Sequence, residues 1–179
     1  INIASVFFML PLSIGLAAAT RIGNLVGERN LLQAKYASYV TVMVCFAGAC
    51  FNTICIYMLR DGLVSLYSND VEVIAIAVNL LLFAAIFQIP DGLQMGALGS
   101  LRGYKDTFAP MLMLIVTYWF IALPVGYVLT YYGILGNPLG AAGIWMGMIT
   151  GLILFSTLII PRLNYTSNKF ILRANREPL

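Results

Sequence analysis

Residues 73–101 read VIAIAVNLLLFAAIFQIPDGLQMGALGSL and contain one ionisable side chain, Asp91. This run is longer than the roughly 20 apolar residues that cross a bilayer as a helix. In hydrocarbon every backbone N–H and C=O must be paired within its segment or its neighbours, which favours helices. The sequence therefore predicts an all-α membrane protein with five transmembrane helices. The other four apolar runs lie at about 3–19, 36–59, 108–129 and 139–160.

The composition excludes an ordinary soluble domain. Of the 179 residues, 61% are hydrophobic and 9% are charged, whereas a soluble domain has about a quarter charged residues. There is no histidine, and the three cysteines, Cys45, Cys50 and Cys55, are rotated apart on one helix. We therefore expect no structural metal site, and no cofactor beyond a coupling ion.

The basic residues predict an orientation. Nine of them fall in the first connection, the third connection and the C-terminal segment, whereas Arg60 stands alone on the opposite side. Cytoplasmic connections carry the excess of Lys and Arg, so we expect the C-terminus in the cytoplasm. Residues 1–162 would form the membrane lobe, and 163–179 a weakly structured cytoplasmic tail. The nine are Arg21, Arg29, Lys35, Arg102, Lys105, Arg162, Lys169, Arg173 and Arg176.

The chain opens at Ile1 inside an apolar run, without an initiator Met or a signal-peptide pattern. We therefore expect it to be a piece of a longer protein, and we expect this piece to pack against the missing N-terminal part of the same chain.

Asp91 is the main candidate site residue. A carboxylate in mid-membrane costs roughly 2.5–3.5 kcal/mol on insertion scales, so its presence indicates function. Pro90 removes a helical hydrogen bond and frees the carbonyl of Ile86, which predicts an interruption of the helix beside the acid. The alternative is a turn at 90–92, but residues 93–101 are too few to cross the membrane alone.

A polar stripe surrounds this acid. Gln88 and Gln94 each lie about 60° from Asp91 around a helix, and Phe87 and Met95 are close to the stripe. Such a stripe suits a cavity between helices, although interhelical hydrogen bonding explains it equally well. The carboxylate can exchange a proton or bind Na⁺, and the sequence does not choose between them.

Isolated polar residues are expected to make interhelical bonds, with Asn79 the one further candidate for the cavity because it shares the helix of Asp91. The spacing of Gly143, Gly147 and Gly151 predicts close helix packing. In the third connection, Asp106 is expected to pair with Arg102. Alternatively, Asp106 or Thr107 would cap the next helix, whose first turn would contain Pro110.

Two motifs resemble the multidrug and toxic compound extrusion (MATE) family, in its NorM-like branch. The first is Pro11-Leu12-Ser13-Ile14-Gly15 with Ala17, Arg21, Gly23 and Gly27, and the second is Leu101-Arg102-Gly103-Tyr104-Lys105-Asp106-Thr107. The resemblance runs from the start to about Arg162. It implies helices eight to twelve of a twelve-helix protein, within a C-terminal six-helix lobe.

The resemblance also implies a function. Members of the family export organic cations and amphipathic drugs in exchange for Na⁺ or H⁺, here from a monomeric, multi-pass protein of the bacterial inner membrane. Asp91 falls where NorM-like members carry an acid implicated in cation binding. Phe87 stands where a Tyr is expected, which removes a hydroxyl ligand.

Other functions remain as alternatives. A lipid-linked precursor flippase of related fold would be expected to have a more basic cavity. An intramembrane enzyme needs converging catalytic groups, and a channel needs rings of equivalent groups, whereas one acid is visible. No phosphate-binding glycine loop, Ser/His/Asp set or nucleic-acid surface is found in the sequence.

Overall fold

The computed structural model describes residues 2–65, 71–132 and 137–176, and these residues form five helices long and apolar enough to cross a membrane. The prediction of an all-α fold with five such helices is therefore confirmed. The fourth span is continuous but contains a π-helical segment, Val116–Ala122, that the sequence did not predict. The elements are α1 (Asn2–Gly27), α2 (Leu31–Ser65), α3 (Val71–Gly103), α4 (Phe108–Ile115), the π-helical segment, α5 (Leu123–Tyr131) and α6 (Ala141–Arg176).

The helices extend beyond the apolar runs because apolarity marks the part in hydrocarbon, whereas backbone hydrogen bonding continues past it. The connection between α1 and α2 comprises only residues 28–30, whereas the apolar runs predicted a connection over residues 21–35. Residues 66–70, in the second predicted connection, lie outside the described residues, as do 133–136 in the fourth.

Helix α3 lies at the centre, in contact with α1, α2 and α6. Glycines allow this close approach. A Cβ on Gly92 would lie 2.8 Å from the carbonyl oxygen of Cys45 in α2. A Cβ on Gly99 would overlap the carbonyl oxygen of Gly15 in α1. The position of Asp91, one residue before Gly92, is thereby fixed between neighbouring helices.

The predicted interruption at residues 90–92 is wrong, because α3 is helical throughout Val71–Gly103. Pro90 leaves the carbonyl of Ile86 without its helical donor, yet the backbone stays helical. The neighbouring helix contacts α3 at this point, because the hydroxyl of Ser156 in α6 donates a hydrogen bond to the carbonyl oxygen of Pro90 at 2.8 Å. Membrane helices tolerate proline where neighbouring helices support the backbone.

The glycines of α6 pack against the fourth span, which confirms the predicted packing role. A Cβ on Gly143 would lie 2.6 Å from the backbone nitrogen of Thr130, and one on Gly147 would overlap Gly126. A Cβ on Gly151 would lie 3.1 Å from the carbonyl oxygen of Thr117, in the π-helical segment. Helix α6 is therefore held on one face by the fourth span and on another by α3.

The expectation of a weakly structured tail is wrong over residues 163–176, because α6 continues to Arg176. The extension is docked onto the loop between α3 and α4. Arg162 Nε donates to Asp106 Oδ2 at 2.8 Å, and the Thr166 hydroxyl donates to the same oxygen at 2.6 Å. The extension also reaches α2, where Lys35 Nζ donates to Asn168 Oδ1 at 2.7 Å. These contacts hold a polar segment as a helix.

The predicted roles of Asp106 are corrected by this docking. Its carboxylate turns to Arg162 rather than to Arg102, and Thr107, at the start of α4, makes no side-chain capping hydrogen bond. Asp106 pairs with Arg162, 56 residues away in sequence, rather than with nearby Arg102, because the extension brings two donors, Arg162 and Thr166, to its Oδ2. Pro110 does lie in the first turn of α4, as predicted.

Replacing Asp106 with Asn is expected to lower the free energy of unfolding by about 1–2 kcal/mol at pH 7, because one charge-assisted bond is lost. Burial tends to raise the pKa of Asp106, but the hydrogen bonds from Arg162 and Thr166 outweigh it and hold the pKa below its usual value. Its contribution is therefore complete above about pH 4 and disappears as the pH falls through the lowered pKa.

Thermal unfolding of wild type and Asp106→Asn in detergent, followed from pH 7 down to pH 3, measures this effect. The gap between the two proteins should be widest near neutral pH and close at the acid end. Equal unfolding temperatures at pH 7 would contradict the docking role of Asp106.

Candidate functional site

The Asp91 carboxylate is buried in the middle of α3, with 2% of the residue exposed. Gln94, three residues later in the helix, donates from Nε2 to Asp91 Oδ1 at 2.7 Å. Among the described residues, Asp91 Oδ2 and Gln94 Oε1 have no hydrogen-bond partner. A buried carboxylate oxygen without a donor is costly, so this geometry leaves room for an additional ligand.

An open cleft of about 380 Å³ lies against this carboxylate, between α1, α3 and α6. Five of the six residues selected from the sequence line it together. Asn79 does not: it is exposed, twelve residues before Asp91 and therefore about 18 Å away along the helix. The lining consists of Ser5, Phe8, Phe87, Gln88, Asp91, Gln94, Met95, Trp145 and Met148.

Sequence reasoning missed the walls that α1 and α6 contribute. Trp145 meets Phe87 edge to face, with ring centroids 6.0 Å apart and an interplanar angle of 89°. A signal for Trp145 did exist: it lies about 200° around the helix from Gly143, away from the face that packs on the fourth span. No signal identified Phe8, because nothing in one sequence says which face of α1 meets α3.

The fourth span carries a further side chain related to the acid. The charge of Asp91 acts on the phenol of Tyr118, in the π-helical segment, although Tyr118 is not among the residues that line the cleft. Tyr118 bears a hydroxyl, whereas Phe87 on α3 has none.

The lining chemistry favours a positively charged guest. One carboxylate and two carboxamides face apolar and aromatic walls, and no basic side chain is among the lining residues. The described residues contain no group of three His, Cys, Asp or Glu that could hold a metal ion. A monovalent cation, a proton or an organic cation is therefore the chemistry that this cleft can accommodate.

Curated proteins with similar sequences carry multidrug resistance names. The chain is 40% identical to the multidrug resistance protein NorM of Vibrio vulnificus over 165 residues, covering 92% of this chain and 36% of that protein. It is 36% identical to PmpM of Pseudomonas aeruginosa, covering 98% and 37%. It is 37% identical to MdtK of Pectobacterium atrosepticum, covering 92% and 36%. The chain thus spans about a third of the length of these relatives.

A solved structure shares the fold. The crystal structure of the eukaryotic MATE transporter AtDTX14 superposes with a TM-score of 0.83 at 21% sequence identity, over 96% of this chain and 39% of that one. The MatE family model matches residues 1–128, which include α1, α2, α3 and most of the fourth span. The resemblance inferred from the two motifs is therefore confirmed, and the chain belongs to the MatE family of membrane proteins.

Proposed function

We propose that this chain forms part of a bacterial inner-membrane antiporter that exports cationic and amphipathic compounds in exchange for Na⁺ or H⁺. The observation that supports it is the buried Asp91 carboxylate, whose Oδ2 has no partner among the described residues and lies at an apolar cleft. The names of the bacterial relatives, multidrug resistance proteins, agree with this proposal.

The walls of the cleft suit an organic cation. Phe8, Phe87 and Trp145 present aromatic rings, which attract cations through their faces and also pack against flat apolar molecules. Met95 and Met148 adapt to ligands of different shape because their side chains are unbranched and polarisable. Few polar groups restrict orientation, so a broad range of compounds can bind.

Competition for one carboxylate supplies the coupling. A proton or Na⁺ on Asp91 cancels its charge and so weakens attraction for a cationic drug, while a bound drug disfavours the ion. Such negative coupling is reciprocal, and a charge pair in a poorly hydrated site gives it a useful magnitude. Alternation of the cleft between the two sides would then convert an ion gradient into drug export.

Tyr118 is proposed to take the place of the hydroxyl that Phe87 lacks. If its phenol helps to hold the coupling ion, Tyr118→Phe should raise the ion concentration needed for half-maximal export several-fold and leave maximal export similar. Export measured over a series of imposed ion gradients checks this. An unchanged dependence would remove Tyr118 from the ion site. Tyr127→Phe, an exposed tyrosine of α5, is the matched control.

The proposed orientation in the membrane follows from the distribution of basic residues. The C-terminus would face the cytoplasm, since nine of ten basic residues lie on that side. The bilayer would contact the exposed apolar faces, and the rest of the protein would close the open side of the cleft. We propose that it acts as a monomer, because one carboxylate and one cleft suffice for the competition described.

Ethidium export tests the function directly. The full-length protein is expressed in cells that lack efflux pumps, and export is followed under imposed Na⁺ or H⁺ gradients. Export driven by either gradient supports the antiporter, and the gradient that drives it identifies the ion. If no cationic dye is exported under either gradient, the antiporter is wrong and a flippase becomes the better candidate.

A further inference from the structure

A second cavity, of about 320 Å³, lies at the other end of α6, where its extension meets the loop between α3 and α4. Its charged lining residues are four basic and one acidic, giving a formal charge of +3 (four minus one). It shares no lining residue with the cleft at Asp91. The charged residues are Lys105, Asp106, Arg162, Lys169 and Arg173.

The helix register explains why three of the cations converge. Arg162, Lys169 and Arg173 are separated by seven and four residues in one continuous helix, which places them within about 40° of one face. This face follows the span directly, so the row of charge begins at the end of α6 that the charge pattern assigns to the cytoplasm.

Lys105 reaches the same cavity from a tight turn at the end of α3. Its φ is +60°, in the left-handed region where glycine is usual. Two bonds close the turn: Lys105 N–H donates to the Arg102 carbonyl and Asp106 N–H to the Leu101 carbonyl, each at 2.9 Å. The turn thus places the Lys105 side chain at the cavity, at a position where the backbone conformation favours glycine.

The acidic residue does not neutralise the cavity. Asp106 Oδ2 already accepts from Arg162 and Thr166, and its charge also acts on Lys169 without forming an ion pair, so one negative charge is set against four positive ones. Lys105, Lys169 and Arg173 are exposed and form no ion pair with a described residue. Three positive charges therefore face one depression, whereas Arg21, Arg29 and Arg102 on the same side line neither this cavity nor its neighbour.

Apolar surface adjoins the charges. Lys169 and Arg173 also line a neighbouring depression of about 300 Å³ with Tyr165 and Leu172. These two side chains are 56% and 59% exposed. A ligand that joins an anionic group to a hydrocarbon chain fits this combination, since basic pockets at the cytoplasmic ends of transmembrane helices suit phospholipid headgroups.

We propose that Lys105, Lys169 and Arg173 bind the phosphate of an anionic phospholipid, with its acyl chain against Tyr165 and Leu172. The lipid would bridge the loop after α3 and the extension of α6, next to the Asp106–Arg162 ion pair. The site is separate from the proposed transport of drugs.

Native mass spectrometry of the purified, delipidated full-length protein tests the proposal, with phosphatidylglycerol and phosphatidylcholine of the same acyl chains as probes. The test variant is Lys105→Asn/Lys169→Gln/Arg173→Gln. The matched control is Arg21→Gln/Arg29→Asn/Arg102→Gln, which removes the same charge from the same side and also places Asn at a left-handed residue, since Arg29 has φ 58°.

The test variant should bind phosphatidylglycerol at least ~10-fold more weakly than wild type, given about fivefold per basic residue near an anionic surface. The control should stay within about twofold, and phosphatidylcholine should bind weakly to all three. Equal losses in test and control variants, or no loss in either, would overturn the proposal. Inorganic phosphate should not displace the lipid at similar concentration; displacement would assign the site to free phosphate and overturn the lipid.

A photoreactive phosphatidylglycerol covers the case in which the test variant fails to fold. With the wild-type protein, the headgroup-labelled lipid should crosslink to peptides from 104–106 and 162–173. Crosslinks spread evenly over the basic connections would indicate unspecific surface charge and contradict the site.

Discussion

Replacing Asp91 with Asn is expected to reduce gradient-driven ethidium export to the background of cells without the protein, a loss of ~10-fold or more. Asparagine keeps the size of the side chain and can still bond to Gln94, but it neither exchanges a proton near neutral pH nor offers a charge to Na⁺. A tenfold loss corresponds to about 1.4 kcal/mol of lost ion or drug binding, which removal of a full charge from a poorly hydrated site exceeds.

The same variant should be at least as stable as wild type. A carboxylate in mid-membrane costs roughly 2.5–3.5 kcal/mol on insertion scales, and the neutral amide avoids that cost. The unfolding temperature of Asp91→Asn in detergent should therefore be equal or higher, which excludes misfolding as the cause of lost export.

Asp106→Asn makes the same chemical change outside the cleft and is the matched control. It should lose stability and retain most export, the opposite pattern to Asp91→Asn. If Asp91→Asn exports ethidium as well as wild type under an ion gradient, the carboxylate is not the coupling site.

Much of the fold could be predicted from the sequence because a bilayer constrains the length and apolarity of its helices. Length and apolarity fixed the number of spans, and the spacing of Gly143, Gly147 and Gly151 identified a packing face. The stripe around Asp91 was readable for a similar reason: an acid in a long apolar run is unexplained by packing. Five of the six selected side chains accordingly line one cleft.

The errors share a physical cause, which is that contacts distant in sequence decided the outcome. Pro90 predicts an interruption from local hydrogen bonding, but α3 packs against α6 there, with Ser156 bonded to the Pro90 carbonyl, and stays helical. Polar residues after Pro161 predict a loose tail, but Asp106 and Lys35 dock that segment as helix. The π-helical segment of the fourth span likewise could not be predicted from its sequence.

Gly99→Ala is expected to destabilise the protein by about 2–3 kcal/mol, because α1 and α3 cross with backbone against backbone. A Cβ at this position would overlap the carbonyl oxygen of Gly15 and lie 2.7 Å from its Cα, and neither atom can rotate away. The helices must separate, and such overpacking typically costs 1–3 kcal/mol, near the upper end where the obstacle is backbone. The unfolding temperature in detergent should fall by several degrees.

Gly27→Ala is the matched control. A Cβ there meets nothing within 4 Å, so the substitution should leave the unfolding temperature unchanged or slightly raised, since alanine favours helix. If both variants unfold with wild-type temperature, α1 and α3 do not cross as closely as described.

Gly99→Ala should also lower ethidium export, because separating the helices moves Phe8 on α1 away from Met95 on α3, and both line the cleft. Here export and stability fall together, whereas in Asp91→Asn export falls while stability holds. The two variants therefore separate the chemistry of the carboxylate from the helix packing that positions it. A Gly99→Ala protein that is destabilised yet exports normally would show that the α1 wall of the cleft contributes little to drug binding.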